Sequence, residues 1–144
     1  MTLSSIITKY TPKTLIEYST FNLKVMTIIS GYPRGTLTRP LLLVGPPGCG
    51  KTLLANLLAA EVIPDMTQHD IRFIDVSQET SIKTVKSISE TIGLYANNSK
   101  NLRVCILDEV DCFTPPAMSA LKGLMTQYPS LDRGVFFILT TNHC

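Results

Sequence analysis

An eight-residue stretch of the chain has the residue types and spacing of a loop that binds phosphate. It reads Gly-Pro-Pro-Gly-Cys-Gly-Lys-Thr and matches the pattern G-x-x-x-x-G-K-[ST] at every fixed position. Its glycines let the backbone curl so that successive N–H groups point inward around an anion. We predict that Lys51 reaches the β- and γ-phosphates of a nucleotide and that the Thr52 hydroxyl holds Mg²⁺. The predicted nucleotide-binding residues of this loop are Gly45, Pro46, Pro47, Gly48, Cys49, Gly50, Lys51 and Thr52.

Two carboxylates follow a short apolar segment further along the chain. Asp108 and Glu109 come directly after residues 104–107, which read Val-Cys-Ile-Leu. At the carboxyl end of a central parallel strand, such acids lie where ligands bind. We predict that Asp108 accepts hydrogen bonds from the water molecules of Mg²⁺ and that Glu109 activates a water molecule against the γ-phosphate. The pair favours hydrolysis over kinase transfer, whereas the alternative, a solvated acidic turn, suits Asp111 better.

A third polar group follows the last apolar segment. Asn142 comes after Thr140 and Thr141, and we expect its amide to hold the attacking water molecule between itself and Glu109. An asparagine after a strand is, on its own, usually a turn former. Its catalytic role is predicted because the phosphate-binding loop and the two carboxylates occur in the same chain.

Alternating strands and helices are predicted to position these groups. Short segments rich in apolar residues predict strands at 41–44, 71–76, 104–107 and 135–140. The first is continuously apolar, the pattern of a strand buried on both faces. Apolar spacing predicts helices over 21–29 and 53–61, a third from Ile82 to a stop near Gly93, and a fourth that opens at Thr114 and Pro115. This alternation implies an α/β fold with a parallel sheet between helix layers. A glycine-rich turn can match the loop pattern by chance, but this one lies between a strand and a helix, as phosphate binding requires.

Composition narrows the class of protein. A chain of 144 residues suits one domain, and a hydrophobic fraction of 44% excludes a disordered or fibrous chain. The net charge of +2 does not by itself indicate a nucleic-acid-binding protein. The four cysteines form no CxxC pair and the two histidines lie far apart, which favours free thiols over a zinc site. The chain has no apolar segment of ~20 residues and no signal pattern, so we expect a cytoplasmic or nuclear protein without a membrane partner.

Three of these motifs together resemble those of AAA+ ATPases: GPPGCGKT resembles Walker A, ILDEVD resembles Walker B and ILTTN resembles a sensor-1 strand. Within that superfamily the chain looks most like a sliding-clamp loader subunit of the replication factor C and phage clamp-loader type. Residues 9–12, Lys-Tyr-Thr-Pro, are similar to the KYRP segment that opens those subunits and packs on adenine, although Thr11 stands where arginine is usual. Residues 118–125 resemble their helix after Walker B. The resemblance implies a P-loop NTPase fold, ATP and Mg²⁺ as cofactors, and adenine contacts from Tyr10 and Pro12 within an N-terminal segment, residues 1–20.

The same resemblance implies partners. Residues 73–77, together with the helix that follows, resemble the clamp-loader segment that faces DNA. By this likeness Ile82, Lys83 and Lys86 grip a primer–template strand, and Lys86 stands where arginine is common. The alternative is that these lysines form the solvated face of an amphipathic helix. The resemblance also implies other loader subunits in a ring and a sliding clamp.

The likeness runs from about Lys9 to Asn142 and then stops. Clamp-loader subunits continue with a Ser-Arg-Cys arginine finger, a fifth strand and a helical lid, which have no counterpart here. By analogy the sheet order is 5-1-4-3-2, so we expect strand 41–44 to form an open apolar edge. We expect residues 1–144 to be a single AAA+ core that is an N-terminal fragment, a truncated reading frame or half of a split protein, with a viral or phage source left open.

Three functions stay open at this point. The first is an ATP-hydrolysing clamp-loader subunit, whose activity we expect only in an assembled complex. The second is another AAA+ protein of the origin-recognition or Holliday-junction type, against which the Lys-Tyr-Thr-Pro segment and the helix after Walker B argue. The third is a nucleotide- or partner-binding module without turnover, which the missing arginine finger and lid favour for the isolated chain.

Overall fold

A four-stranded parallel sheet forms the centre of the protein. The computed structural model describes residues 2–18 and 23–143. Within them the strands occur in the order β1-β4-β3-β2, all parallel, which confirms the predicted α/β fold and strand order. The strands are β1 (Leu41–Val44), β2 (Ile71–Asp75), β3 (Arg103–Asp108) and β4 (Val135–Thr141).

Helices connect the strands and flank the sheet. The described part of the chain contains five α-helices: α1 (Leu3–Tyr10), α2 (Leu23–Ile29), α3 (Lys51–Val62), α4 (Ile82–Ile92) and α5 (Pro115–Gln127). Short 3₁₀ turns follow β3, at Val110–Cys112, and precede β4, at Leu131–Arg133. None of these helices is long and apolar enough to cross a membrane.

The two central strands carry a core on each face of the sheet. Neighbouring residues of a strand point to opposite faces, and both faces of β3 and β4 are covered. Val104, Ile106, Phe136 and Ile138 are buried in a cluster that includes α3 side chains. A second cluster contains α4 and α5 side chains together with Cys105, Leu107, Val135, Phe137 and Leu139. The continuous apolar sequence of these strands therefore follows from burial on both sides.

Strand β1 differs from its two central neighbours. Leu41 and Leu43 pack against the α3 cluster, but Leu42 and Val44 are 54% and 46% exposed. The prediction that this strand is buried on both faces is therefore wrong. Among the described residues β1 has β4 as its one neighbour in the sheet, so the expected apolar edge is present.

Several element boundaries differ from those predicted. Asp108 and Thr141 are the last residues of their strands, since the ladder extends one residue beyond the apolar run at each place. The predicted helix over 21–29 begins at Leu23, and Phe21 lies outside the described residues. Thr114 is the N-cap of α5, although its side chain makes no capping hydrogen bond. Helix α1 is not among the predicted helices; it has no buried residue and is capped by the Thr2 hydroxyl.

Candidate nucleotide site

The phosphate-binding loop joins β1 to α3, as predicted. Gly48 and Gly50 have φ of +76° and +90°, a left-handed backbone that side-chain-bearing residues rarely adopt. Gly50 is the N-cap of α3, and Lys51 is its first residue. The free N–H groups and the positive end of this helix therefore face the same loop. The backbone thus has the left-handed glycines that such a loop requires, and phosphate binding by it stays a prediction.

Lys51 connects the loop to the end of β4. Its Nζ donates to the carbonyl oxygens of Gly45 at 2.8 Å and Pro46 at 2.9 Å, and to Oδ1 of Asn142 at 2.9 Å. An ammonium group has three N–H donors, so the oxygens of an incoming phosphate must replace some of these acceptors. Lys51 is thus held over the loop by contacts that a phosphate group can exchange.

A carboxylate and two hydroxyl groups meet beside the start of α3. The Thr52 hydroxyl donates to Oδ1 of Asp108 at 2.8 Å, and the Thr140 hydroxyl donates to the same oxygen at 2.6 Å. Thr140 also accepts the backbone N–H of Glu109 at 3.0 Å. A threonine hydroxyl and a carboxylate are hard oxygen donors of the kind that Mg²⁺ prefers, so this donor set fits the predicted cation. The sequence analysis did not predict a role for Thr140, although its position near the end of the strand that precedes Asn142 could have indicated one.

Glu109 has an unusual backbone for a glutamate. Its φ and ψ are 58° and 50°, the left-handed region, at the turn between β3 and the 3₁₀ segment. This turn brings its carboxylate to Asn142, whose Nδ2 lies 3.5 Å from Oε1 of Glu109. The two side chains that were predicted to share a water molecule are therefore adjacent. A strained conformation beside such a cluster is typical of functional positions.

These groups line one open cavity of about 360 Å³. The carboxyl ends of β1, β3 and β4 meet at this cavity, which is where ligands bind in sheets of this kind. Its volume lies within the range of small-molecule sites. The lining residues are Pro47, Gly48, Gly50, Lys51, Thr52, Leu53, Asp108, Glu109, Thr140 and Asn142.

Asp111 is exposed, as expected for a solvated acidic turn, and its carboxylate also has partners at the end of β4. The Thr141 hydroxyl donates to Oδ1 of Asp111 at 2.9 Å, and Nε2 of His143 lies 3.7 Å from Oδ2. Burial raises the pKa of Asp111, but hydrogen bonds from Thr141 and nearby backbone N–H groups outweigh it and hold the pKa below its ordinary value. The carboxylate therefore braces the strand end that carries Asn142.

The residues predicted to contact adenine do not line this 360 Å³ cavity. Tyr10 is 71% exposed at the end of α1, and Pro12 lies two residues beyond it. Their contact with adenine stays a prediction. The structure instead brings Tyr18 to the loop: its hydroxyl lies 3.5 Å from the carbonyl oxygens of both Cys49 and Gly50. No sequence signal marked Tyr18.

Tyr18 also lines a second cavity, of about 450 Å³, next to the first. Val25, Ile28 and Ile29 of α2 and the side chains of β1 form its apolar walls, and Lys51 lines both cavities. Burial, with a smaller contribution from the Cys49 thiol, raises the pKa of Tyr18. Its hydroxyl therefore stays protonated, and able to donate, throughout the neutral range.

The residues predicted to grip DNA lie at the start of α4. Ile82, Lys83 and Lys86 are all exposed. Helix α4 follows the carboxyl end of β2, so its first turn lies at the same edge of the sheet as the phosphate-binding loop. The contact with DNA stays a prediction.

The described cysteines are free thiols. Cys49 is exposed in the loop, and Cys112 is partly buried. Burial raises the pKa of the Cys105 thiol to about 12. In residues 2–18 and 23–143, no three histidine, cysteine or acidic side chains group together in a way that could hold a metal ion. Cys144 lies outside the described residues.

Residues 41–144 match the family described as "ATPase family associated with various cellular activities (AAA)". The matched region contains the loop, both carboxylates and Asn142. The chain belongs to the AAA family of ATPases.

The AAA chain is similar to replication factor C subunits over most of its length. It is 30% identical to replication factor C subunit 4 of Caenorhabditis elegans, with 94% of this chain covered. It is 31% identical to the replication factor C small subunit of Haloarcula marismortui, with 95% covered. The chain spans about 41% of the length of each of these relatives.

Solved structures share its fold. The Holliday junction branch migration motor RuvB of Thermotoga maritima matches with a TM-score of 0.66 at 22% identity, over 92% of this chain and 42% of that one. A DNA polymerase III gamma subunit-related protein of the same organism matches with a TM-score of 0.63 at 13% identity, over 82% of this chain and 39% of that one. At these identities the likeness shows the fold alone.

Proposed function

We propose that this AAA chain binds ATP with Mg²⁺ and hydrolyses it as a subunit of a DNA sliding-clamp loader. One observation carries the chemical part of the proposal. Lys51, Asn142 and Glu109 form a connected series of contacts in one cavity, beside the hydrogen-bonded pair of Thr52 and Asp108. This arrangement supports a site in which Lys51 binds phosphate, Thr52 and Asp108 hold a cation, and Glu109 acts as the base.

Binding rests on the loop and the start of α3. The inward N–H groups and the Lys51 ammonium hold the β- and γ-phosphates. The Thr52 hydroxyl would hold Mg²⁺ directly and the Asp108 carboxylate would hold it through its water molecules; the bound ion would neutralise charge that develops on the phosphate oxygens. The apolar cavity beside Tyr18 suits a planar base, and Tyr10 and Pro12 are the further base contacts that we propose from the clamp-loader resemblance.

Hydrolysis requires a water molecule in line with the γ-phosphate. The Asn142 amide donates to this water and fixes its position. The Glu109 carboxylate then accepts one of its protons as the oxygen attacks. The adjacency of the two side chains supports this division of roles, because one water molecule can contact both.

Similarity to relatives supports the clamp-loader assignment over the other AAA+ types. Relatives about 30% identical over most of this chain are named replication factor C subunits. The likeness to the Holliday junction motor, at 22% identity, is one of fold. We therefore propose an intracellular protein that assembles with other loader subunits in a ring and acts on a sliding clamp and primer–template DNA, with ATP turnover in that assembly.

The test measures nucleotide binding and phosphate release side by side. A fluorescent ATP analogue is titrated into the chain alone, and phosphate release is followed alone and with replication factor C-type partner subunits. Release that appears only with partners, and that primer–template DNA stimulates, supports the loader. Tight binding without release in every mixture would identify a module without turnover, and stimulation by a four-way junction instead would identify a motor of the Holliday-junction type.

A further inference from the structure

We infer that Tyr18 is a positioning residue that sets the orientation of the phosphate-binding loop and links it to the neighbouring cavity. The inference rests on the proposed function, because it concerns how that loop holds a triphosphate. Tyr18 lies outside the loop, 31 residues before Cys49, and belongs to the segment that precedes α2.

The hydroxyl of Tyr18 contacts the loop at two backbone carbonyl groups. It lies 3.5 Å from the carbonyl oxygens of Cys49 and Gly50, between which it can share its one donor. In a planar trans peptide the C=O and the following N–H point in opposite directions. A donor that holds these two carbonyls outward therefore turns the N–H groups of Gly50 and Lys51 inward, toward the phosphate position.

The fit between Tyr18 and the loop is close. A Cβ added to Gly50 would lie 3.0 Å from the Tyr18 hydroxyl oxygen, closer than ordinary carbon–oxygen contact. Gly50 is also the N-cap of α3, and its carbonyl already accepts the N–H of Leu54 at 2.9 Å. The tyrosine thus contacts the loop at the residue where the backbone changes from loop to helix.

The ring of Tyr18 lines the neighbouring cavity. It forms part of the wall of the 450 Å³ apolar cavity together with α2 and β1. One side chain therefore contacts both the cavity that suits a base and the peptides that present N–H groups to phosphate.

The hydroxyl and the ring can be tested separately with two substitutions and two ligands. Tyr18→Phe removes the hydroxyl and keeps the ring, whereas Tyr18→Ala removes both. Affinity is measured for ATP and for inorganic tripolyphosphate, each with Mg²⁺, because tripolyphosphate reports on the loop without a base. Tyr95→Phe is the matched control, since Tyr95 is 87% exposed and its backbone contacts Arg103 at the other end of the sheet.

We expect Tyr18→Phe to weaken both ligands equally, by roughly 2-fold, the lower end of the effect of one neutral hydrogen bond, because both acceptors lie 3.5 Å from the hydroxyl. Tyr18→Ala should weaken ATP by roughly a further 5-fold or more while affecting tripolyphosphate no more than Tyr18→Phe does, since it also removes the apolar wall. The control should bind both ligands as the wild type does, and melting temperatures check that every variant is folded.

Other outcomes overturn the inference. Unchanged tripolyphosphate affinity in Tyr18→Phe, with wild-type binding intact, would show that the hydroxyl does not position the loop, and the proposed function would stand. A loss confined to ATP would place the hydroxyl on the base instead. A wild-type chain that binds neither ligand would remove the proposed function, and the role of Tyr18 with it.

Discussion

The two ends of the sheet both carry charged and polar side chains, but these side chains bond to different kinds of partner. At the carboxyl end, side chains bond mainly to other side chains, as Thr52 and Thr140 do to Asp108. At the amino end they bond mainly to the backbone. Arg103 donates to the carbonyl oxygens of His69, Leu94 and Tyr95.

Asp70 shows the second kind of bonding most clearly. It is 1% exposed, and its carboxylate accepts the backbone N–H groups of Thr67 at 2.9 Å and Asn97 at 2.6 Å, together with the Thr67 hydroxyl at 2.9 Å. Burial raises its pKa, but these hydrogen bonds outweigh burial and lower the pKa to about 2. The carboxylate ties the loop before β2 to the loop after α4.

This difference in bonding partners separates side chains that stabilise the fold from side chains that can contact a ligand. The backbone N–H groups that bond Asp70 are fixed by the chain, so this buried carboxylate keeps them unless a loop unfolds. Hydroxyl, amide and ammonium partners can rotate toward an incoming ligand at little cost. Residue type alone does not distinguish Asp70 from Asp108, whereas the identity of the bonded atoms does.

The largest effect is expected for Glu109→Gln in a hydrolysing assembly. The substitution keeps the size of the side chain and removes the base, so ATP turnover should fall by ~10²-fold or more while nucleotide affinity stays near that of the wild type. Phosphate release and analogue titration measure the two quantities. Glu90→Gln, on the exposed side of α4, is the control. Turnover that survives in Glu109→Gln would contradict the assignment of the base.

Lys51→Ala should instead affect binding. Loss of a charge-assisted hydrogen bond costs about 1.5–3 kcal/mol, so the Kd for ATP should rise by roughly 10- to 100-fold. Titration of the isolated chain measures this, with the exposed Lys122→Ala of α5 as control. If Lys51→Ala and Glu109→Gln lose affinity equally, the division between binding and hydrolytic residues at this end of the sheet is wrong.

Asp70→Asn tests the amino end. Its amide would present an N–H₂ group to the N–H donors that now bond the carboxylate, so the free energy of unfolding should fall by about 1–3 kcal/mol. The Kd for ATP should not change. Urea unfolding measures the stability, and Asp132→Asn, on an exposed residue of the same end, should change it by less than about 0.5 kcal/mol. A change in nucleotide affinity would remove the contrast between the two ends.

The same carboxylate gives a pH dependence of known sign. Because its pKa is lower in the folded chain than in the unfolded one, the stability it contributes is present above about pH 4 and is lost as the pH falls toward 2. Unfolding measured across this range should show a shallower pH dependence in Asp70→Asn than in the wild type. Equal slopes would mean that the hydrogen bonds at Asp70 do not favour the charged form.

The smallest effect is expected for Lys83→Ala with Lys86→Ala at the start of α4. Both side chains are exposed at the carboxyl end, and DNA affinity of an assembled complex with ATP should become less dependent on salt. Each lost phosphate contact lowers the salt slope by ~0.9 for duplex DNA. A slope equal to that of Lys122→Ala would show that the two lysines belong to a solvated helix face.

The sequence predicted most where the information is local. The loop of residues 45–52 depends on glycines within one turn, and the strands β3 and β4 depend on continuous apolar runs, so both were predictable. The exposure of one face of β1 was not predictable. Leu42 and Val44 are of the same apolar residue types as the central strands contain, but they lie at the edge of the sheet. The strand order came from the family resemblance, since strand composition does not specify which strands pair.

Long-range contacts account for the site residues that the sequence did not predict. Thr140 lies 32 residues after Asp108, and Tyr18 lies 32 residues before Gly50. Neither has a type or spacing that marks it, because each gains its role only when the sheet brings distant segments together. Helix α1 has apolar residues at helical spacing, Leu3, Ile6 and Ile7, but its β-branched and serine residues lower its helix propensity and it buries no face.

The left-handed backbone at Glu109 has a consequence for engineering. Glycine adopts that conformation without the penalty that glutamate incurs, which is about 1–2 kcal/mol. A library selected for thermal tolerance alone would therefore enrich glycine at this position. The selected variants would keep the cavity but lose the carboxylate that we propose as the base. Selection for thermal stability must therefore be paired with a screen for ATP turnover.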